Sequence, residues 1–490
     1  MLLIFKGERK TKMRKKVFLG FFWKFSEQIS SQLVSFIISV ILARLLSPSD
    51  YGIVALVNVF IIIANVFVTS GLGTALIQKK DSDNIDFSTV FYLSEVLSII
   101  IYGIIYMAAP YIAKFYGNPE LIEVTRVFAL TLPLSAFNAI QQAYVSKHML
   151  FKKIFISTTV SSISSGIIGI ILAYAGFGVW SLVGQTLSNT ILISMVLFVQ
   201  LGWHPQLVFS WNRAKPLISF GWKILASSLL GQIFNQLRTL LLGKAYTSAD
   251  LAYYNRGQKF PELISSNIDG TISTVLFPAL SEYSDDTRKV KELTRISIRT
   301  STFIIMPLMF GMAATAKPII LLLLTSKWAE AIPYMQFLCI AGAFGTVSNA
   351  NMQAISAIGR SDVMLKLELI KKPLYLILLV IGIKISVLAV AYTMTLYSIL
   401  AMFLNMSPNR KLLNYKFDEQ MTDILPALAN SVVLFILVEM IGLLHLQILI
   451  LFIIQVIVGG ISYIIIAYVT KMQAFTYLLD MLFKRSNIKK

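Results

Sequence analysis

Six polar residues, Asn255, Lys259, Glu262, Ser266, Asp269 and Ser273, recur at i, i+4, i+7, i+11, i+14 and i+18, the spacing of one helix face. Arg256 and Asn267 lie on an adjacent strip. Two other apolar stretches carry comparable sectors: Lys24, Glu27, Gln28, Ser31 and Ser35 in one, Ser227, Gly231, Asn235 and Arg238 in the other. Ionisable groups are costly in lipid and normally face a bundle interior or a watery cavity. The chemistry open to such a set is binding. Cationic Lys24, Arg238, Arg256 and Lys259, with Gln28 and Asn235, would stand in a hydrated cavity beside acidic Glu27, Glu262 and Asp269 as candidate substrate- and ion-binding groups. A second reading puts Lys24, Arg256 and Lys259 near the membrane interfaces, where they snorkel with Glu27 or Glu262 as partners. Asp269, mid-span, and Arg238, one turn inside its span, favour the cavity.

Signatures of bond-making chemistry are missing. The chain has neither a GxxxxGK[ST] loop for nucleotide phosphates nor an HExxH zinc pair. Its three histidines, His148, His204 and His445, fall at loops or span ends, and the single cysteine, Cys339, sits in an apolar run as a packing residue. The expectation is a protein that is not an enzyme and needs no cofactor beyond Na+ or H+ coupling.

The elements that must position these residues are membrane helices. Of 490 residues, 56% are apolar and 14% charged, against about 25% charged in soluble domains. Runs long enough to cross a hydrocarbon layer of roughly 30 Å fall at residues 20–44, 52–78, 88–114, 121–146, 154–175, 178–201, 219–242, 251–280, 295–323, 332–357, 365–385, 387–407, 423–443 and 447–470. The fold expected is an all-α integral membrane protein of about fourteen transmembrane helices. The basic N-terminus resembles a signal peptide, but its apolar run is too long and lacks a small-residue cleavage site, so it reads as a retained first helix.

The net charge of +19 reads as a topology signal and not as a nucleic-acid surface. With the N-terminus inside, alternating loops put about 31 of the 43 basic residues on the cytoplasmic side, from Lys6 to Lys16 through to the tail at Lys471 to Lys490. The opposite side holds about 8: Arg44, Lys114, Arg126, Lys244, Arg256, Lys259, Lys317 and Lys327. Both termini are therefore expected in the cytoplasm. An internal repeat sets Phe22-Trp23-Lys24 against Gly221-Trp222-Lys223, and LARLLSPSD (42–50) against LGKAYTSAD (242–250). It predicts two pseudo-symmetric six-helix lobes, residues 1–210 and 211–415, with two C-terminal helices and a cytoplasmic tail over 416–490.

The segments ILARLLSPSDYGIVAL (41–56) and GLGTALIQKKD (71–81) resemble the first hairpin of bacterial polysaccharide exporters and Wzx-type lipid-linked oligosaccharide flippases, within the multidrug/oligosaccharidyl-lipid/polysaccharide exporter superfamily. AYYNRGQKFPEL (252–263) and TVLFPALSEYSDD (274–286) resemble the eighth helix of that family. The resemblance implies two six-helix lobes in a V around a cationic cavity, which turns an undecaprenyl-pyrophosphate-linked oligosaccharide of O-antigen, capsule or exopolysaccharide to the outer leaflet. The implied partners are that lipid-linked glycan, membrane lipid, a polysaccharide polymerase and glycosyltransferases. A peptidoglycan-precursor flippase and a cation-coupled multidrug exporter are the alternatives. Against the latter stand the last two helices and the cations of the first, seventh and eighth.

Overall fold

The computed structural model describes residues 8–484, so Lys6, Arg485, Lys489 and Lys490 of the charge count lie outside the described residues. Within them the chain forms twenty α-helices. They are α1 (Glu8–Leu45), α2 (Pro48–Thr69), α3 (Leu72–Gln78), α4 (Asn84–Tyr116), α5 (Leu121–Phe128), α6 (Thr131–His148), α7 (Phe151–Tyr174), α8 (Val179–Gln200), α9 (Trp211–Ala245) and α10 (Ser248–Thr271). There follow α11 (Phe277–Glu282), α12 (Thr287–Ala314), α13 (Ala316–Leu323), α14 (Ala331–Ala357), α15 (Ser361–Ile385), α16 (Val387–Met406), α17 (Asn409–Leu412), α18 (Phe417–Gly442), α19 (Ile448–Val469) and α20 (Gln473–Lys484). Every one of the fourteen expected spans coincides with a helix or a consecutive helix pair. The tail adds α20, which the apolar runs did not announce.

Twelve of these stretches are long and apolar enough to cross a membrane. The two that fall short of the expected fourteen are α10 and α15. The cause is the charge they carry: α10 holds Arg256, Lys259, Glu262 and Asp269, and α15 holds Lys366, Glu368, Lys371 and Lys372.

Local chemistry explains the ends and bends. Ser47 caps α2, its hydroxyl accepting from Asp50 N–H while the Asp50 carboxylate accepts from Ser47 N–H at 2.9 Å, with Pro48 in the first turn. Thr247 and Asp250 build the same reciprocal pair at the start of α10, at 3.1 and 3.2 Å. These are the positions the repeat aligned, and the box satisfies two otherwise orphan amides. The 52–78 span breaks at Gly71, whose φ of +96° disfavours any side chain, and a Cβ there would overlap the Gly221 carbonyl of α9. Residues Ile272–Leu276 widen into a π-helical turn just before Pro278, where proline lacks an N–H and crowds the preceding turn.

The chain divides into two compact units, Met1–Ala252 and Tyr253–Lys490. In the first, α7 packs against α1 and α8, α4 against α6, and α9 against α2, α3 and α4. In the second, α12 packs against α14 and α18, α16 against α14 and α15, and α18 against α19.

Candidate functional site

The first unit holds five of the expected site residues. On α1, Lys24 Nζ donates to Glu27 Oε2 at 2.6 Å, with the lysine side chain 55% exposed and the glutamate 13%. Gln28, the next residue, is exposed. On α9, Asn235 is exposed and Arg238 half-buried. The structure thus brings Lys24 and Glu27 together. It rests α1 on α7 and α9 on α2 to α4, because the Trp23 ring meets Phe155 of α7 at 5.3 Å and the Gly71 to Gly221 approach holds α9 to α3.

The second unit holds the other four, on α10. Lys259 and Glu262 are exposed, Asp269 is half-buried, and Arg256 is buried with its guanidinium 5.1 Å from the Trp328 ring. Arg256 therefore lies on the packed face with Gly257, Phe260 and Pro261, all buried, while the stripe of Lys259, Glu262 and Ser266 faces outward. The packed face is close: a Cβ on Gly257 would sit 2.8 Å from Met335 N and 2.9 Å from the Ala331 carbonyl of α14. Below it, Asn349 of α14 donates to the Asp269 carbonyl at 3.4 Å, and Gln353 to Ser273 Oγ at 2.9 Å. The backbone of Asp269 thus rests against a neutral amide of α14.

A cleft of about 360 Å³ opens among α2, α3 and α6, outside the charged stripes read from the sequence. Its polar lining is entirely neutral, including Asn65, Thr69, Thr74, Asn138 and Gln142. Gln142 donates to Asn138 Oδ1 at 3.0 Å, and Thr69 to the Asn65 carbonyl at 2.9 Å. Of these only Asn138 is buried, and the open amides and hydroxyls offer hydrogen bonds that a polyhydroxylated ligand or water can satisfy. The signal was present as the spacings Asn65/Thr69 and Asn138/Gln142/Ser146, each i, i+4.

Ion pairs pin this end of the first unit. Arg213 Nη1 reaches both oxygens of Asp83 at 2.6 Å and lies 3.5 Å from the fully buried Asp86, which also receives Lys79 at 2.7 Å. The Arg213 hydrogen bond holds the Asp83 carboxyl below the usual aspartate range. Lys147 donates to the Lys79 carbonyl at 2.5 Å and to Ser82 Oγ. Among the described residues no group of three His, Cys, Asp or Glu side chains is disposed to hold a metal ion.

Comparison with known proteins agrees with this architecture. Residues 41–333 match the polysaccharide biosynthesis protein family. The chain is 24% identical to the succinoglycan biosynthesis transport protein ExoT of Rhizobium meliloti over 71% of each chain, and 23% identical to the lipopolysaccharide biosynthesis protein WzxC of Escherichia coli over 76% of each. Its fold is similar to that of the lipid II flippase MurJ in an inward closed conformation, with a TM-score of 0.75 at 15% identity, covering 92% of this chain and 98% of that one. The chain is a polytopic membrane protein of the polysaccharide biosynthesis protein family, related to the Wzx-type exporters of polysaccharides and lipid-linked oligosaccharides.

Proposed function

We propose that this protein is a flippase that carries an undecaprenyl-pyrophosphate-linked oligosaccharide across the cytoplasmic membrane by ion-coupled alternating access. The observation that carries this reading is α10: within a chain of lipid-compatible helices it is too polar for lipid, and its charges include cations suited to a pyrophosphate and a carboxylate suited to a driving ion. The candidate substrate-binding residues are Arg238, Lys24, Gln28 and Asn235 in the first unit and Arg256 and Lys259 in the second. Asp269, with Glu27 and Glu262, takes up Na+ or H+. The neutral cleft of α2, α3 and α6 offers hydroxyl-matching groups to the glycan.

In this reading α10 and α15 span the membrane as well, giving fourteen helices with both termini cytoplasmic. The lobes are residues 1–210 and 211–415, followed by 416–490, and a polymerase and glycosyltransferases act on either side of the transport step. The transport and polysaccharide functions named for the two relatives support a glycan cargo. The test is glycan display at the cell surface. Arg238→Ala and Arg256→Ala should each abolish it at unchanged protein level in the membrane, and normal display in both variants would remove the pyrophosphate site.

A further inference from the structure

In the second unit a cavity of about 610 Å³ opens among α12, α18, α19 and the start of α20. One wall is cationic. Arg295 Nε and Nη2 donate to the Asp423 carboxylate at 2.8 and 3.0 Å, and Arg299 Nε donates to it at 2.7 Å. The Asp423 side chain is fully buried, whereas both arginine side chains are 28% exposed. Lys471 stands exposed in the cavity lining at φ +50°, with no ion pair among the described residues. Two arginines therefore share one carboxylate, and with Lys471 the cavity keeps a surplus of two positive charges. The neighbouring Lys291 and Glu419 neutralise each other at 2.7 Å. Gln473 and Ala474, the first turn of α20, also line the cavity, and amides of a first helical turn lack intrahelical acceptors and favour an anion.

The other wall is aliphatic, formed by Ala427, Val433 and Ile466. It continues onto the outer surface of α18 and α19, where Val433 is 41% exposed and Tyr468 and Val469 are 70% exposed. In a polytopic chain such surface meets hydrocarbon. A free phosphate would use the cationic wall and leave the apolar one idle. An anionic amphiphile uses both.

We propose that this cavity is a binding site for an anionic phospholipid. The phosphate headgroup sits against Arg295, Arg299 and Lys471, and an acyl chain leaves along α18 and α19. Basic pockets between membrane helices recognise headgroups in this way, and guanidinium groups match phosphate oxygens bidentately. The site is separate from the expected substrate residues on α1, α9 and α10 and does not depend on the cargo assigned above.

The experiment is native mass spectrometry of the full-length protein in detergent, titrated with dioleoyl phosphatidylglycerol, dioleoyl phosphatidylcholine or inorganic phosphate. The wild type should retain phosphatidylglycerol severalfold better than phosphatidylcholine. Lys471→Gln, which breaks no ion pair seen among the described residues, should lower that retention about tenfold, as for loss of one charge-assisted contact. Arg299→Gln should do the same, with Arg299→Lys as the folding control that keeps the charge. Excess phosphate should leave the lipid bound. Equal retention of the two lipids, or retention untouched in both neutralised variants, overturns the site, and displacement of the lipid by phosphate alone overturns its assignment to a lipid.

Discussion

Replacing Asp423 by alanine tests whether the α12 to α18 junction depends on a shared buried carboxylate. The carboxylate accepts from Arg295 at 2.8 and 3.0 Å, from Arg299 at 2.7 Å and from the Tyr415 hydroxyl at 2.6 Å. Its removal leaves Arg299 and the Tyr415 phenol without this acceptor and Arg295 with only Glu419, at 3.8 Å. Breaking a buried pair from one side costs about 3–5 kcal/mol. Because each arginine side chain is 28% exposed, water recovers part of that, and a loss of about 3 kcal/mol is expected. For a body of this size that corresponds to a fall in melting temperature of roughly 6–12 °C, read by tryptophan fluorescence of the detergent-purified protein. The triple variant Arg295→Met, Arg299→Met, Asp423→Leu strands no charge and should melt above Asp423→Ala. An unchanged melting temperature in Asp423→Ala, or a triple variant less stable than the single one, would refute the reasoning.

Three further outcomes are expected. Asp269→Asn should weaken the dependence of transport on the ion gradient in vesicles, and wild-type transport that persists after gradient collapse would count against coupling. Gly71→Val forces a side chain onto a φ of +96° and into the Gly221 carbonyl; it should cost about 1–3 kcal/mol and lower the melting temperature, whereas Gly103→Ala, with nothing within 4 Å of its Cβ, should not. For Asp83, the folded carboxyl lies below its ordinary value of 3.8 because Arg213 donates to it. Its contribution is complete above that value and is lost as the pH falls through the lower folded one. Arg213→Gln should therefore narrow the stability difference between pH 5 and pH 3, and a pH profile parallel to that of the wild type would show that the pair does not act.

The helices were legible because lipid imposes a simple rule: about twenty apolar residues in a row must pair their own backbone groups. The Ser47/Asp50 and Thr247/Asp250 boxes were legible as aligned repeats, since capping is local chemistry within four residues. Less visible was α20, whose twelve residues are too short to read as a span. Its apolar face becomes meaningful only where Phe475 meets Phe303 at 6.0 Å. The site residues were found by charge and helical spacing, which identify a polar face without naming its neighbours. Arg256 and Lys259 share α10, yet one is buried on Trp328 and the other is exposed.

The sequence by itself determined that this chain lives in a membrane, where its helices run, and that a subset of them carries charge on one face. These follow from composition and from periods of a few residues. Only the tertiary structure decided which helices touch: α1 lies on α7, α9 is held to α3 where glycine meets glycine, and Asp423 gathers two arginines about 128 and 124 positions away. Such contacts depend on shape complementarity between distant segments, to which hydropathy and helical period are blind. The neutral cleft and the cationic cavity arise the same way, from residues unremarkable one by one that packing brings to a common wall.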